Sequence, residues 1–139
     1  MTNQEKFEGF KENLINENER KYGAEIRAKY SNKTINEYNA SLKGLTQEQY
    51  DESEQLRLAL EATLKSAIKT GDPTGRKAWK ACDLHRKWLC VFAPKHYNKK
   101  YHKNLGQMYV SDERFKAYYE KIAPGCAKFL SDSIDVYCN

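Results

Sequence analysis

Only three prolines and seven glycines interrupt these 139 residues, so long unbroken elements are allowed. No apolar run approaches the length of a membrane span. The opening MTNQEKFEGF lacks the hydrophobic core of an export signal. Both absences point to a cytoplasmic chain, in which the four cysteines are expected as free thiols. Cys82 and Cys90 share one expected helix, about 12 Å apart along its axis, too far for a disulfide. No CxxC or HxxxH accompanies the three histidines. No Gly-rich phosphate loop, Ser-His-Asp order or paired-carboxylate motif is visible either. Nothing in the sequence requires an enzyme or a cofactor.

What the chain does have is rings. Aromatics make up 12% of it, including ten tyrosines, too many for a disordered chain. The length suits one domain with a real core. A net charge of +5 comes from 24 basic and 19 acidic residues with their signs mixed. That excess is weak support for a nucleic-acid partner.

No segment alternates with period two, and helical spacing recurs throughout, so the chain is expected to be all-α with six to eight helices. Phe7, Phe10 and Leu14 open a first helix. From Asn16 to Lys33 the chain is almost all charge, with a thin stripe of Tyr22, Ile26 and Tyr30. Such a helix is marginal without packing, so residues 1–45 are expected to be the less stable part. Thr34 and Glu37 read as a capping box, with Gly44 as the C′ residue of that helix. Thr46 and Gln49 repeat the box, and Gly71 stops the helix that follows. Asp72 and Pro73 are then expected at N-cap and N1. The segment Thr74–Phe92 is apolar around most of its circumference and reads as central, ending before Pro94. Asn98 and Ser111 or Asp112 are expected caps, and Pro124 the N1 residue of a last helix.

Several constellations carry alternative uses. Cys82 and His85 lie three apart on one face, a metal-compatible spacing without enough further ligands. His85 reads better as a bonded core residue or as the lining of a pocket. His102 could orient a polar ligand group or tie down the loop before it. The run KHYNKKYHK, Lys95 to Lys103, mixes bases and rings as single-strand binders do. It gives an alternative reading as a nucleic-acid-binding helical module, set against a solvated loop with Tyr97 and Tyr101 folded inward. Cys90 in an apolar helix end and Cys126 beside an expected helix start, where the dipole would lower a thiol pKa, could serve as nucleophiles, but both read more simply as small buried apolar residues. Ten rings from Trp79 to Tyr137 are expected to face inward: Trp79, Trp88, Phe92, Tyr101, Tyr109, Phe115, Tyr118, Tyr119, Phe129 and Tyr137. They suit either a packed core or the wall of a cavity for a flat ligand.

LHRKWL (Leu84–Leu89), YHKNLGQMYVSDERF (Tyr101–Phe115) and IAPGCAKFL (Ile122–Leu130) resemble, in order, the TipAS antibiotic-recognition domain. The family pattern runs H-R-x-W, then H-x-x-L-x-x-M-Y-V-x-D-x-R-F, then P-G-L-A-x-F-L. The resemblance covers roughly Asp83 to the C-terminus, and EKFEGFKENL is similar to the start of the domain. It implies an all-α, globin-like fold that binds bulky, multi-ring antibiotics. The N-terminal helices would be mobile until ligand orders them. It also implies either an effector domain following a MerR-type DNA-binding domain or a stand-alone drug-sequestering resistance protein. His85, Trp88, His102, Met108, Tyr109, Asp112, Arg114 and Phe115 match the pattern. The expected ligand-binding set is Trp79, His85, Trp88, Phe92, Tyr97, Tyr101, His102 and Tyr109. Asp112 and Arg114 look like a cap and its partner. Some members capture thiopeptides through a Cys just before an S-P-E-x-H helix start. Here Tyr97 holds that place and Asn98-Lys99-Lys100 the S-P-E, so binding is expected to be reversible. The expected partner is a hydrophobic drug, with no membrane and no direct nucleic-acid contact.

Overall fold

The structure is a computed structural model that describes residues 2–139, apart from the side chains of Tyr22, Glu25 and Lys29. Seven α-helices account for its regular structure, with no strand among the described residues. They are α1 (Asn3–Lys29), α2 (Asn32–Lys43), α3 (Gln47–Ile68), α4 (Arg76–Phe92), α5 (Lys99–Ser111), α6 (Glu113–Ile122) and α7 (Cys126–Tyr137). The chain divides into two compact units, Met1–Asp51 and Glu52–Asn139.

In the first unit, α1 is one helix of 27 residues that runs straight through the charged segment. A capping box starts it: Thr2 Oγ1 accepts from the Glu5 N–H, and Glu5 returns a carboxylate oxygen to the Thr2 N–H. Leu14, Ile15 and Ile26 are half-buried, while the Tyr22 side chain of the expected stripe lies outside the described residues. The helix α2 runs back along α1. Arg27 donates to Asn32 and Asn36, Asn39 donates to Glu19, and Lys11 reaches Lys43 and Leu45. The start of α2 corrects the expectation. Its N-cap is Ser31, whose Oγ accepts from the Thr34 N–H at 3.0 Å, so Thr34 already lies in the first turn. Two hydroxyl residues three apart compete for that role, and the extended one takes it. Gly44 closes α2 in right-handed conformation, φ −80°, as the C-cap and not as a left-handed C′ residue. The Thr46–Gln49 box forms as expected.

Lys11 is 1% exposed, yet its amine is fully served. It donates to Lys43 O at 2.5 Å and Leu45 O at 2.7 Å, pairs with Glu8, and lies over the Phe7 ring. It thus supplies a donor to a carbonyl that the end of α2 leaves without a helical partner, and another to the Leu45 carbonyl just past the cap.

The second unit is built around α7, where Cys126, Ala127, Phe129, Leu130, Ser131, Ser133 and Ile134 are buried. Leu60, Leu64 and Ala67 of α3 and Ala78, Ala81 and Cys82 of α4 join the same core. Burying a side chain such as Leu130 or Ile134 contributes about 2 kcal/mol. Gly106 lets α5 approach α7 closely. A Cβ there would stand 3.2 Å from Ile134 Cδ1. Gly71, at φ 67°, turns the chain after α3.

Two expected caps move. Asp72 accepts from both the Thr74 N–H and its hydroxyl, which closes a local turn, and α4 begins three residues later behind Gly75. Pro124 lies before the N-cap of α7, not at N1, because Gly125 takes the cap at φ 82°. Asn98 and Asp112 cap α5 and α6 as expected.

Candidate functional site

A helix end and a helix start bring most of the expected site residues together within the second unit. The last turns of α4 carry His85, Trp88 and Phe92. Ala93 then closes the helix through its N–H to Leu89 O, Pro94 follows, and Asn98 Oδ1 restarts the chain by accepting from the Tyr101 N–H. Tyr97, Tyr101, His102 and Tyr109 therefore return to the same junction.

Behind it lies a buried polar row. His85 and His102 are both fully buried, and His85 Nδ1 meets His102 Nε2 at 2.7 Å. On one side His85 Nε2 meets the Tyr109 hydroxyl at 3.0 Å. On the other, His102 Nδ1 meets the Tyr97 hydroxyl at 2.8 Å. His102 thus ties down the loop before α5, one of the two roles its position offered. Burial pushes His85 down to about 3, with the neighbouring His102 adding to the effect. Burial, and then Arg86, brings His102 down to about 4. Both rings are neutral at ordinary pH. Burial also raises the Tyr97, Tyr101 and Tyr119 hydroxyls above the usual phenol range.

In front of that row stand half-buried rings. Trp88 stacks on His85 at 6.1 Å and leans on Phe92 at 5.0 Å. Tyr97 meets His102 edge-on at 5.4 Å. Trp88, Phe92, Tyr97 and Tyr101 are neither buried nor fully exposed, so each keeps part of its ring accessible.

Trp79 departs from this group. It is 55% exposed near the start of α4, and its ring meets Tyr137 at 5.5 Å. Tyr137 in turn touches His102, so Trp79 stands one ring away from the junction. Tyr118 is likewise 41% exposed, with its hydroxyl on Glu61. Helical spacing fixed the stripe of α4 and α6 but not its width, and these two rings fall at its margin.

Tyr137 and Tyr119 are two of the ten rings that periodicity turned inward without assigning either a polar role. Tyr137 is held in a polar triangle: it donates to Asp83 at 2.9 Å and accepts from Arg86 at 3.0 Å. Burial alone would raise Asp83, but Tyr137, Arg86 and Lys87 outweigh it and hold the carboxyl below its usual range. The D-x-x-R spacing of Asp83 and Arg86 was the one visible hint.

Of the two readings of Cys126, the buried apolar one holds, and burial outweighs the helix dipole at its thiol. Burial pushes Cys126 up to about 11, with Glu120 adding to it, and the Glu120 carboxylate accepts from the Cys126 N–H at the start of α7. Cys82 rises to about 12, again mainly through burial. Neither has the thiolate character a nucleophile needs. No group of three or more His, Cys, Asp or Glu side chains suited to a metal occurs among the described residues. In the Lys95–Lys103 run, Lys95, Lys99 and Lys100 are exposed while Tyr97 and Tyr101 turn inward and His102 is buried. Tyr97 spends its hydroxyl and ring edge on His102, and nothing in the run adds support to the nucleic-acid reading.

The first unit holds an open groove of about 600 Å³, lined by Asn3, Lys6, Phe7, Phe10, Gln47, Tyr50 and Asp51. Phe7, Phe10 and Tyr50 meet there at centroid distances of 5.4–6.5 Å.

No helix among the described residues is long and apolar enough to cross a membrane. No curated protein and no solved structure matches the chain. A family model described as the TipAS antibiotic-recognition domain matches residues 22–137, reaching well back from the motifs after Asp83.

Proposed function

The chain belongs to the TipAS antibiotic-recognition domain family, and from that premise we propose that it binds bulky, hydrophobic, multi-ring antibiotics reversibly. The observation that carries the reading is the family match over residues 22–137. The ring surface of Trp88, Phe92, Tyr97 and Tyr101 is the binding face, with His85, His102 and Tyr109 as its polar backing. Trp79 contributes from the margin through Tyr137.

The rings suit such a ligand because flat apolar area removed from water contributes about 25 cal/mol per Å². Binding is reversible because the residue before the α5 cap is Tyr97, whose hydroxyl is engaged with His102. Burial also raises the thiols of Cys82, Cys126 and Cys138 above their ordinary range. Ligand binding raises the order of residues 1–45, at about 1–2 kcal/mol per backbone residue fixed. In a longer chain that ordering would report to a MerR-type DNA-binding domain; alone, the same binding would sequester the drug.

The test uses Trp79→Phe, which leaves Trp88 as the sole tryptophan. Titration with thiopeptides, albicidin-like compounds and hydrophobic dyes should quench or shift Trp88 emission for at least one class. The ligand should be recovered unmodified by mass spectrometry. Unchanged emission across the panel would remove the reading.

A further inference from the structure

The helix α3 is one unbroken element from Gln47 to Ile68, and its inner face buries Ser53, Leu60, Leu64 and Ala67. The opposite face leaves Leu58, at the middle of the helix, 57% exposed. Residues seven apart in a helix lie about two turns apart and share a face. Asp51 stands seven residues before Leu58 and Lys65 seven after it, and both are exposed. Gln47, and Lys69 in the turn after the helix, extend the same line at its two ends. Gln55 and Ala62, between the charges, are exposed as well.

The charges beside this stripe are settled within the chain. Arg57 pairs with Glu54 at 2.6 Å and with Glu61 at 3.0 Å. The Tyr118 hydroxyl donates to Glu61 at 2.6 Å, which tethers its exposed ring beside α3, one turn from Leu58. The charges on the stripe itself are not settled. Asp51 accepts from the Gln47 side chain at 3.0 Å and meets no cation among the described residues. Lys65 and Lys69 meet no carboxylate among them.

A stripe that is acidic on one side of a central leucine and basic on the other is complementary to itself turned end for end. Laid antiparallel, two such helices bring each Asp51 against the partner's Lys65 and each Gln47 against the partner's Lys69, with Leu58 meeting Leu58 on the axis. Parallel pairing would set Asp51 on Asp51 and Lys65 on Lys65, which repel.

We propose that α3 docks antiparallel on α3 of a second copy of this chain, with the two-fold axis at Leu58. The contact uses the same patch on both copies, so it closes at two. One helix pair with a single leucine at its centre covers little area, so the dimer is weak and forms as concentration rises. The surface is separate from the rings of the drug reading, which lie on α4, α5 and the turn between them.

Sedimentation velocity of the full chain at low salt, from micromolar to millimolar, should show monomer passing to dimer and no larger species. A monomer at every concentration, or growth beyond the dimer, overturns the proposal. Asp51→Lys and Lys65→Asp, each alone, should weaken association about tenfold or more, since each sets like charges together at both ends. An equimolar mixture of these two variants should associate as the parent chain does, because each copy then carries the charges the other needs. A damaged helix would not regain association on mixing, so the mixture separates a lost contact from a lost fold. Leu58→Asp should abolish the dimer with the helical circular dichroism unchanged. A mixture that stays monomeric, or a dimer indifferent to Leu58→Asp, overturns the proposal. None of these measurements needs a drug, so their outcome is independent of the emission panel.

Discussion

Single residues set two measurable costs. The buried amine of Lys11 holds the Lys43 carbonyl at the end of α2 and the Leu45 carbonyl just past its cap. Lys11→Met keeps the apolar stem over Phe7 but strands those acceptors, which should cost about 1–3 kcal/mol. Urea denaturation followed by helical circular dichroism reads that loss, and an unchanged midpoint would show that water serves the carbonyls equally well. His85 and His102 give a pH dependence of known sign. Their folded values, about 3 and about 4, lie below the ordinary 6.5. The unfolded chain therefore binds more protons as pH falls below 6.5, and stability drops from there toward the folded values. Each ring contributes roughly 1.4 kcal/mol per pH unit across that window. Denaturation at pH 7 and pH 5 should differ accordingly, with Arg86 opposing protonation of His102 throughout.

At the scale of elements, two glycines should respond in opposite directions. Nothing lies within 4 Å of a Cβ built at Gly9, which sits inside α1. Gly9→Ala should stabilise that helix by about 0.5–1 kcal/mol. Gly106 faces Ile134 and Ser131 at 3.2–3.5 Å. Gly106→Val drives a branched side chain between α5 and α7 and should cost about 1–3 kcal/mol. Thermal melts of the two variants give the comparison, and equal shifts would refute the account of the α5–α7 approach. Helix existence was legible in the sequence because apolar spacing determines which face packs. Cap identity was legible where one candidate stood alone, as at Asn98 and Thr46, while Ser111 and Asp112 were both open until the structure gave the cap to Asp112. Ser31 against Thr34, and Gly125 against Pro124, were contests that local backbone angles decided. Those angles depend on tertiary packing, which spacing does not encode.

At the scale of the whole molecule, the family motifs located the α4–α5 junction, but no motif announced the bonded row behind it. His85 and His102 sit on different helices, so their contact follows from packing and not from spacing. The uneven burial of the chain leads to a last prediction. The helix α7 buries seven side chains in twelve residues, whereas the middle of α1, from Glu12 to Arg20, leaves most side chains in water. Backbone amides exchange through local opening, and opening is easiest where few apolar contacts are lost. Amide exchange in the full chain should therefore be slowest in α7 and fastest within α1, with α2 following α1 through the Lys11 and Arg27 bonds. A ligand found by the emission panel should slow exchange in α1 and α2 far more than in α7. Equal protection of α1 and α7 without ligand would mean that the charged helix needs no ordering, and the proposed coupling of drug binding to residues 1–45 would lose its physical basis.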